Sequence, residues 1–257
     1  MGRSFELGPV VGLAVYRQDV VIKRAGACTN PQTANKKPIT ELSYESRRRL
    51  AFVACNAETT WRTMVTLTYP AVYPCDGRRV KKHLHAFLIW LKYDTRGTGY
   101  LWFLEFQKRG APHIHILLDF PFPSVRGDAA ALRFRVSASW YRIVDSGDRR
   151  HLAAGTRVER IRKAEGGARY ATKYAFKCEQ KQVPEPYQNV GRFWGCSRDI
   201  APKPRFEAEC TEDDVRGVLQ GWRYCPASDK PVYKVLWNVG DRFRAWVAAD
   251  RVEGRVI

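Results

Sequence analysis

The best candidates for chemistry in this chain are two histidines separated by one residue, His113-Ile114-His115. They lie in a segment, Pro112 to Asp119, whose composition is typical of a β-strand. Side chains alternate along a strand, so both imidazoles are expected on one face and the isoleucine on the other. Such a pair can bind a metal ion, or it can serve only as a pair of hydrogen-bonding groups.

The segment before this strand predicts a β-hairpin. A second strand ends at Gln107, and only residues 108–110 separate it from the histidine strand. A three-residue loop that ends in glycine suits a type I turn with the glycine in the left-handed conformation. If Gln107 pairs with Ala111, Glu105 lies opposite His113 on the face that carries both imidazoles.

This pairing brings metal-ligand chemistry onto one face of the hairpin. His113, His115, Glu105 and Gln107 share that face in the predicted register. Two neutral imidazoles and a carboxylate, with positions left open for water or substrate, suit Mg²⁺, Mn²⁺ or a related divalent ion.

A second pair, His83 and His85, lies in a segment with helical periodicity. Residues two apart on a helix point about 200° away from each other. These two histidines are therefore not expected to bind one ion.

A segment further along the chain predicts a helix with two tyrosines and two lysines on one face. These four residues are Tyr170, Lys173, Tyr174 and Lys177. A phenol is a poor nucleophile because its pKa is near 10. A neighbouring lysine ammonium and a divalent ion that polarises a phosphate would both activate it. The pattern indicates a tyrosine nucleophile, unless the tyrosines only pack on the sheet beneath the lysine stems.

The rest of the pattern supplies the elements that must position these residues. The predicted elements are a helix from Glu41 to Ala57, a strand from Arg62 to Tyr69, a helix from Val80 to Lys92, hairpin strands from Tyr100 to Gln107 and Pro112 to Asp119, a helix from Ala130 to Val144, a strand from Thr156 to Ile161 and a helix from Ala168 to Cys178. This order predicts an α+β fold, a ferredoxin-like split β-α-β core whose antiparallel sheet has helices on one face. We expect a catalytic core at 58–178 between an N-terminal extension at 1–57, which holds a basic helix, and a C-terminal extension at 179–257.

Charge indicates a polyanionic partner. The formal net charge is +18, and residues up to Cys178 include 31 basic and 14 acidic side chains, against 13 and 12 from Glu179 onward. This excess attracts nucleic acid, and no segment is apolar enough to span a membrane. Seven cysteines without a Cys-x-x-Cys pair argue against a disulfide framework or a zinc ribbon and favour a reducing, intracellular compartment.

Three blocks, in this order, resemble the HUH endonucleases, in particular the rolling-circle replication initiators of filamentous and microvirus-type phages and related plasmids. The blocks are Thr66-Leu-Thr-Tyr69, Glu105-x-Gln-x-x-Gly-x-Pro-His-Ile-His115 and Tyr170-Ala-Thr-Lys-Tyr174-x-x-Lys177. A later element, Asn189-Val-Gly-Arg-Phe-Trp-Gly195, is also similar to the family.

The resemblance implies a five-stranded antiparallel sheet whose open face carries the metal site and the tyrosine helix. It implies that His113, His115 and Glu105 hold a divalent ion, with Gln107 as a further or replacement ligand. It also implies that the two tyrosines of the third block nick one DNA strand, forming a 5′-phosphotyrosine link and a free 3′-hydroxyl.

The implied partners are single-stranded origin DNA, a host helicase and the replication machinery in the bacterial cytoplasm. No Gly-x-x-x-x-Gly-Lys-Ser/Thr phosphate loop occurs, so a separate helicase is expected to open the duplex. Candidate phosphate contacts, which could equally be ordinary solvated arginines, are Arg47, Arg48, Arg49, Arg109 and Arg169.

Two other functions fit parts of the pattern. One is a transposase or plasmid-transfer relaxase of the same superfamily. The other is a non-catalytic RNA-recognition-like module, which predicts aromatic residues rather than histidine and glutamate at the centre of the exposed sheet face.

Overall fold

Strands near both ends of the chain flank a central run of helices and strands. The computed structural model describes residues 10–17, 20–24, 39–162, 167–168, 170–171, 183–188, 191–211, 233–237 and 242–247. The elements are β1 (Val10–Val15), β2 (Val20–Arg24), α1 (Tyr44–Asn56), β3 (Thr63–Thr68), α2 (Gly77–Asp94), β4 (Tyr100–Phe106), β5 (Pro112–Leu118), α3 (Arg126–Val144), α4 (Arg149–Ala154), β6 (Thr156–Arg160), β7 (Trp194–Cys196), β8 (Phe206–Thr211), β9 (Tyr233–Trp237) and β10 (Arg242–Val247). None of the helices in these ranges has the length and apolar character needed to cross a bilayer.

The chain divides into two compact units, Lys36–Ala201 and the pair Met1–Asn35 with Pro202–Ile257. The second unit holds an antiparallel sheet of strand order β8-β1-β2-β10-β9. Strands from opposite ends of the sequence meet there, since β1 pairs with β8 from Val10↔Thr211 to Val15↔Phe206. The expected boundaries at 57/58 and 178/179 stay predictions.

The unit Lys36–Ala201 is built on an open, five-stranded antiparallel sheet of order β6-β3-β5-β4-β7. The fold is therefore α+β, as the sequence predicts. The fifth strand is β7, which pairs with β4 through Phe103↔Trp194 and its two neighbouring pairs. Every strand alternates between two differently covered faces, because successive side chains point to opposite sides.

One face of this sheet packs against α2 and α3. The α2 helix begins after Asp76, whose carboxylate accepts a hydrogen bond from the Arg78 N–H. Its residues at helical spacing are buried together with side chains of α3 and of alternate sheet positions: Val80, Leu84, Phe87, Leu88, Leu91, Leu132, Val136, Trp140, Val65, Leu67, Ile114 and Ile116. Burial of this apolar stripe fixes which face of the sheet stays available for chemistry.

The opposite face carries the remaining alternate positions. A second buried cluster joins Leu50 and Ala54 of α1 to Leu101 and Leu117 of the sheet. Ala168 and Ala171, which belong to helical residues near the end of the core, lie in the same cluster. On this face the row of Leu101 and Leu117 is covered by α1, and the histidines lie in the next rows along the strands.

Candidate active site

The hairpin has the register that the sequence predicts. The Gln107 N–H donates to the Ala111 carbonyl oxygen at 2.9 Å, and Gly110 takes the left-handed conformation with φ 79°. Glu105 pairs with His113, and Phe103 pairs with His115. Because paired residues point to the same side, one carboxylate and two imidazoles share a face, as predicted.

His115 lies at the centre of that face. Its ring is only 2% exposed and stacks on Phe103 with ring centroids 5.0 Å apart. Nδ1 lies 3.2 Å from Oγ1 of Thr66 on β3, and Nε2 lies 3.3 Å from Oε2 of Glu105 on β4. The imidazole is therefore held between a hydroxyl on one side and a carboxylate on the other.

His113 lies one row further along the same face. Its Nδ1 is 3.1 Å from Oγ1 of Thr68 and 3.4 Å from Nε2 of Gln107. Its ring centroid is 4.6 Å from that of His115, with the two rings nearly perpendicular. Gln107 thus contacts His113, whereas the carboxylate of Glu105 contacts His115.

Both imidazoles are neutral near pH 7. Burial lowers the pKa of His113 to about 4, helped by the nearby His115 and Arg109. Burial also lowers the pKa of His115 to about 4, with Glu159 acting in the opposite direction. A neutral imidazole keeps one nitrogen lone pair, which is the form that ligates a metal ion.

The donor set is chemically suited to a divalent ion. With Nδ1–H donating to Thr66, the Nε2 lone pair of His115 would face the Glu105 oxygen, an arrangement that a shared cation stabilises. Their 3.3 Å separation is close to the roughly 3 Å between adjacent ligand atoms of an octahedral ion with ligands about 2.1 Å away. Within the described ranges, no three His, Cys, Asp or Glu side chains together meet the geometry of a metal site. The complete ligand set therefore stays a prediction.

Tyr170 lies on the same face as the histidines. Its ring centroid is 5.7 Å from that of His115 and 6.4 Å from that of Phe103. The neighbouring Gly167 allows this approach, because a Cβ there would come within 2.7 Å of Cγ of Trp61. Ala168, Tyr170 and Ala171 therefore pack against this face of the sheet.

The other residues of the predicted tyrosine helix cannot be placed. Lys173, Tyr174, Lys177 and Arg169 lie outside the described residues. Their roles stay predictions.

Arg109 lies at the tip of the hairpin, and its guanidinium binds the loop after β3. It donates to the carbonyl oxygens of Tyr69 at 2.7 Å, Pro70 at 2.8 Å and Ala71 at 3.3 Å, and to Oε1 of Gln107 at 2.9 Å. These contacts join the hairpin to the end of the β3 strand. The predicted phosphate contact is untested, but a positioning role for this side chain is evident.

The three arginines of α1 differ in exposure. Arg48 is buried, Arg47 is half-buried and Arg49 is exposed. Only the last has the open side chain that a surface phosphate contact requires, and all three assignments stay predictions.

Sequence reasoning missed the partners that orient the histidines. Thr66 and Thr68 lie opposite His115 and His113 on adjacent β3. The signal was the Thr66-Leu-Thr68 alternation in the Arg62–Tyr69 segment, which has the same two-residue period as His113-Ile-His115. Its meaning depends on the pairing of two segments that are distant in sequence.

Three further histidines have no place in the site. His83 is buried, with Nδ1 3.1 Å from the Tyr69 hydroxyl, while His85 is exposed on α2. His151 is buried, with its ring nitrogens 2.9 Å from Oγ of Ser146 and 2.9 Å from the carbonyl oxygen of Thr68. The expectation that His83 and His85 do not share an ion agrees with their placement on different sides of α2.

Comparisons with known proteins give one family match, which lies in the central part of the chain. Residues 62–179 match the family model of the replication-associated protein ORF2/G2P. No curated protein matches the chain. A solved structure, the crystal structure of the hypothetical protein ORF119 from Sulfolobus islandicus rod-shaped virus 1, is 16% identical over 50% of this chain and 89% of that one, with a TM-score of 0.29. A score this low supports no inference.

The family match covers somewhat less than half of the chain, but it includes both strands of the histidine hairpin and the predicted tyrosine helix. Over these residues the chain is similar to replication-associated proteins, and this similarity supports a replication initiator, a protein that binds DNA.

Proposed function

We propose that this chain is a metal-dependent HUH endonuclease of the two-tyrosine type that nicks one DNA strand at an origin and starts rolling-circle replication. The single observation that carries the proposal is the placement of Tyr170, 5.7 Å between ring centroids from His115, on the face that also holds Glu105 and His113. A nucleophile, a carboxylate and two neutral imidazoles thus share one surface, beside strands that match a replication-associated family.

The proposed reaction is a transesterification. The phenol oxygen of Tyr170 or Tyr174 forms a bond to the phosphorus of a backbone phosphate, and the bond from phosphorus to the 3′ oxygen breaks. The phenol proton ends on that 3′ oxygen, which leaves a free hydroxyl for the polymerase. Because one phosphodiester replaces another, the step is reversible, and a second attack rejoins strands at termination.

The residues around the nucleophile have separate tasks in this reaction. His113, His115 and Glu105 would hold a divalent ion such as Mg²⁺ or Mn²⁺, which supplies charge stabilisation on the phosphate oxygens. Thr66 and Thr68 orient the two imidazoles through Nδ1. Lys173 and Lys177 are proposed to stabilise the phenolate by their charge.

The proposed partners are those that the resemblance to rolling-circle replication initiators implies. The substrate is single-stranded origin DNA, and a host helicase and the replication machinery act on the nicked strand in the bacterial cytoplasm. The basic residues of the core attract the phosphate backbone.

Formation of a covalent adduct tests the proposal. The full chain is incubated with Mn²⁺ and a labelled pool of single-stranded oligonucleotides that carry a randomised central segment, and adducts are separated on a denaturing gel. We expect an adduct with wild-type protein, none with EDTA, and none with the double variant Tyr170→Phe, Tyr174→Phe.

Tyr93→Phe is the matched control, because Tyr93 is 81% exposed on α2, away from the site. This variant should form the adduct like the wild type. An adduct that persists in the double tyrosine variant would overturn the assignment, as would the absence of any adduct with wild-type protein.

A further inference from the structure

A basic groove runs along the outer edge of the catalytic sheet. It has a volume of about 660 Å³ and lies between α3, α4 and the strand β6. The strand β6 pairs with β3 on one side only, and the groove follows its other side.

The charge of this groove is positive. Arg133, Arg149 and Arg157 line it, with Glu159 as the one acidic lining residue among those described. Arg149 is exposed and forms no ion pair with any described residue, whereas Nη2 of Arg157 lies 2.7 Å from Oε1 of Glu159. An exposed pair of this kind contributes little stability, so a phosphate can compete with the carboxylate for the guanidinium.

An aromatic side chain stands in the same groove. Phe134 on α3 lines the groove and is 67% exposed, so its ring is accessible to a base. The preceding residue, Arg133, reaches the strand through Nε, 3.4 Å from the carbonyl oxygen of Val158. Surfaces that bind single-stranded nucleic acid combine two components: cationic side chains along the phosphate backbone, and exposed aromatic rings on which bases stack.

The groove adjoins the proposed active site. Arg157 pairs with Thr66, and Thr66 pairs with His115. Adjacent strands lie about 4.8 Å apart, so the backbones of Arg157 and His115 are separated by about 10 Å. The helix α3, which lines the groove, packs on the face opposite the histidines, whereas Arg157 points to the same face as Thr66 and His115. A DNA strand bound in the groove would therefore pass round the edge of the sheet at β6, past Arg157, to reach the histidine face.

We propose that this groove binds the single-stranded DNA that flanks the cleaved phosphodiester. Arg133, Arg149 and Arg157 contact its phosphates, and Phe134 stacks on one of its bases. This inference rests on the proposed nickase function, since it specifies where the substrate strand lies.

Binding of a fluorescein-labelled (dT)₂₀ to the full chain in EDTA tests the groove without cleavage. The double variant Arg149→Ala, Arg157→Ala should bind at least about tenfold more weakly, and the slope of log affinity against log salt should fall by about 0.7 per lost phosphate contact. Phe134→Leu should weaken binding about fivefold, because leucine fills space but offers no ring for stacking. Glu159→Gln should strengthen binding severalfold.

Arg142→Ala is the matched control, since Arg142 is exposed on α3, the helix that carries Phe134, and lies outside the groove. It should change the salt slope by less than the groove variants do. If the groove variants bind (dT)₂₀ with wild-type affinity and slope while remaining folded by circular dichroism, the groove assignment is wrong.

Adduct formation by the wild-type protein, taken together with (dT)₂₀ binding by the groove variants, separates the two proposals. If the wild-type protein forms the tyrosine adduct but the groove variants bind (dT)₂₀ normally, the groove proposal is wrong and the nickase proposal stands. If the groove variants bind (dT)₂₀ weakly but the wild-type protein forms no adduct, the groove is supported as a DNA-binding surface and the nickase proposal is wrong.

Discussion

Thr66 and His115 lie directly opposite each other on adjacent strands, and the threonine Oγ1 is 3.2 Å from the imidazole Nδ1. Thr68 and His113 repeat the same contact two residues away, at 3.1 Å. Because the period of a strand is two residues, one Thr-x-Thr segment matches one His-x-His segment when the strands pair in this register. The hydroxyls therefore fix both rings from the side opposite the carboxylate.

Loss of the threonine hydroxyl should weaken metal binding. In Thr66→Val the Nδ1 of His115 loses the partner that orients the ring, so we expect Mn²⁺ affinity to fall about tenfold or more. Isothermal titration with Mn²⁺ measures this change. Thr98→Val removes a hydroxyl that donates to a carbonyl oxygen outside the site, and this control should bind Mn²⁺ like the wild type. Equal Mn²⁺ affinity of Thr66→Val and wild type would show that the contact does not support a metal ligand.

The metal-free protein should lose stability as the pH falls from about 6.5 toward 4. The folded imidazoles of His113 and His115 have pKa values of about 4, against 6.5 for ordinary histidine. In this interval the unfolded chain binds more protons, so the stability is present above pH 6.5 and decreases as the pH falls. Urea unfolding in EDTA between pH 4 and pH 8 measures it.

The variant His113→Gln should show a smaller decrease over the same pH interval, because one of the two imidazoles with a lowered pKa is gone. His85→Gln, which changes an exposed histidine of α2, should follow the wild-type curve. A wild-type stability that is constant from pH 6.5 to 4.5 would contradict the burial of two neutral imidazoles.

Arg109 should act through its fixed geometry rather than through its charge alone. Its four hydrogen bonds to the Tyr69–Ala71 carbonyl oxygens and to Gln107 need a planar guanidinium. We expect Arg109→Lys to lose about 1–3 kcal/mol of stability, nearly as much as Arg109→Ala. Thermal unfolding measures both variants, with the exposed neighbour Lys108→Ala as the control. Full recovery of stability and DNA binding by lysine would instead favour a simple phosphate contact.

Gly167 should be required for the placement of Tyr170. A Cβ at Gly167 would lie 2.7 Å from Cγ and 2.9 Å from Cδ1 of Trp61, so in Gly167→Ala either the backbone at residue 167 or Trp61 must shift, and we expect Tyr170 to be displaced with it. We expect adduct formation to fall at least about tenfold, since misplacing a reacting group by about 1 Å can cost about 100-fold in rate.

Gly127→Ala is the control for this change. Nothing lies within 4 Å of a Cβ at Gly127, which is part of α3. Alanine there should keep activity and should not destabilise the helix, because the added methyl group meets no neighbour. Normal adduct formation by Gly167→Ala would mean that the close packing on Trp61 does not position the nucleophile.

The hairpin could be predicted from the sequence because its determinants are local. Loop length and Gly110 fix the pairing of Gln107 with Ala111, and that pairing alone sets Glu105 opposite His113. The helix α2 was also predictable from its apolar spacing. It begins at Gly77, before the first apolar position, because Asp76 caps it.

Other parts of the molecule depend on contacts between distant segments and could not be predicted. The pairing of β1 with β8 joins residues about two hundred positions apart, and short alternating strands do not specify their partners. The six-residue helix α4 is too short for a periodic signal, so the buried contacts of His151 were missed as well. The groove beside β6 is formed partly by α4 and could not be predicted for the same reason.

Mass spectrometry of the trapped adduct tests the central claim most directly. Trypsin cleaves after Arg169, Lys173 and Lys177, so Tyr170 and Tyr174 fall on separate peptides, Tyr-Ala-Thr-Lys and Tyr-Ala-Phe-Lys. After nuclease digestion, we predict a nucleotide mass on one or both of these peptides. A nucleotide mass on any other residue, or a wild-type protein that carries none in the presence of Mn²⁺, would contradict the assignment of a tyrosine nickase.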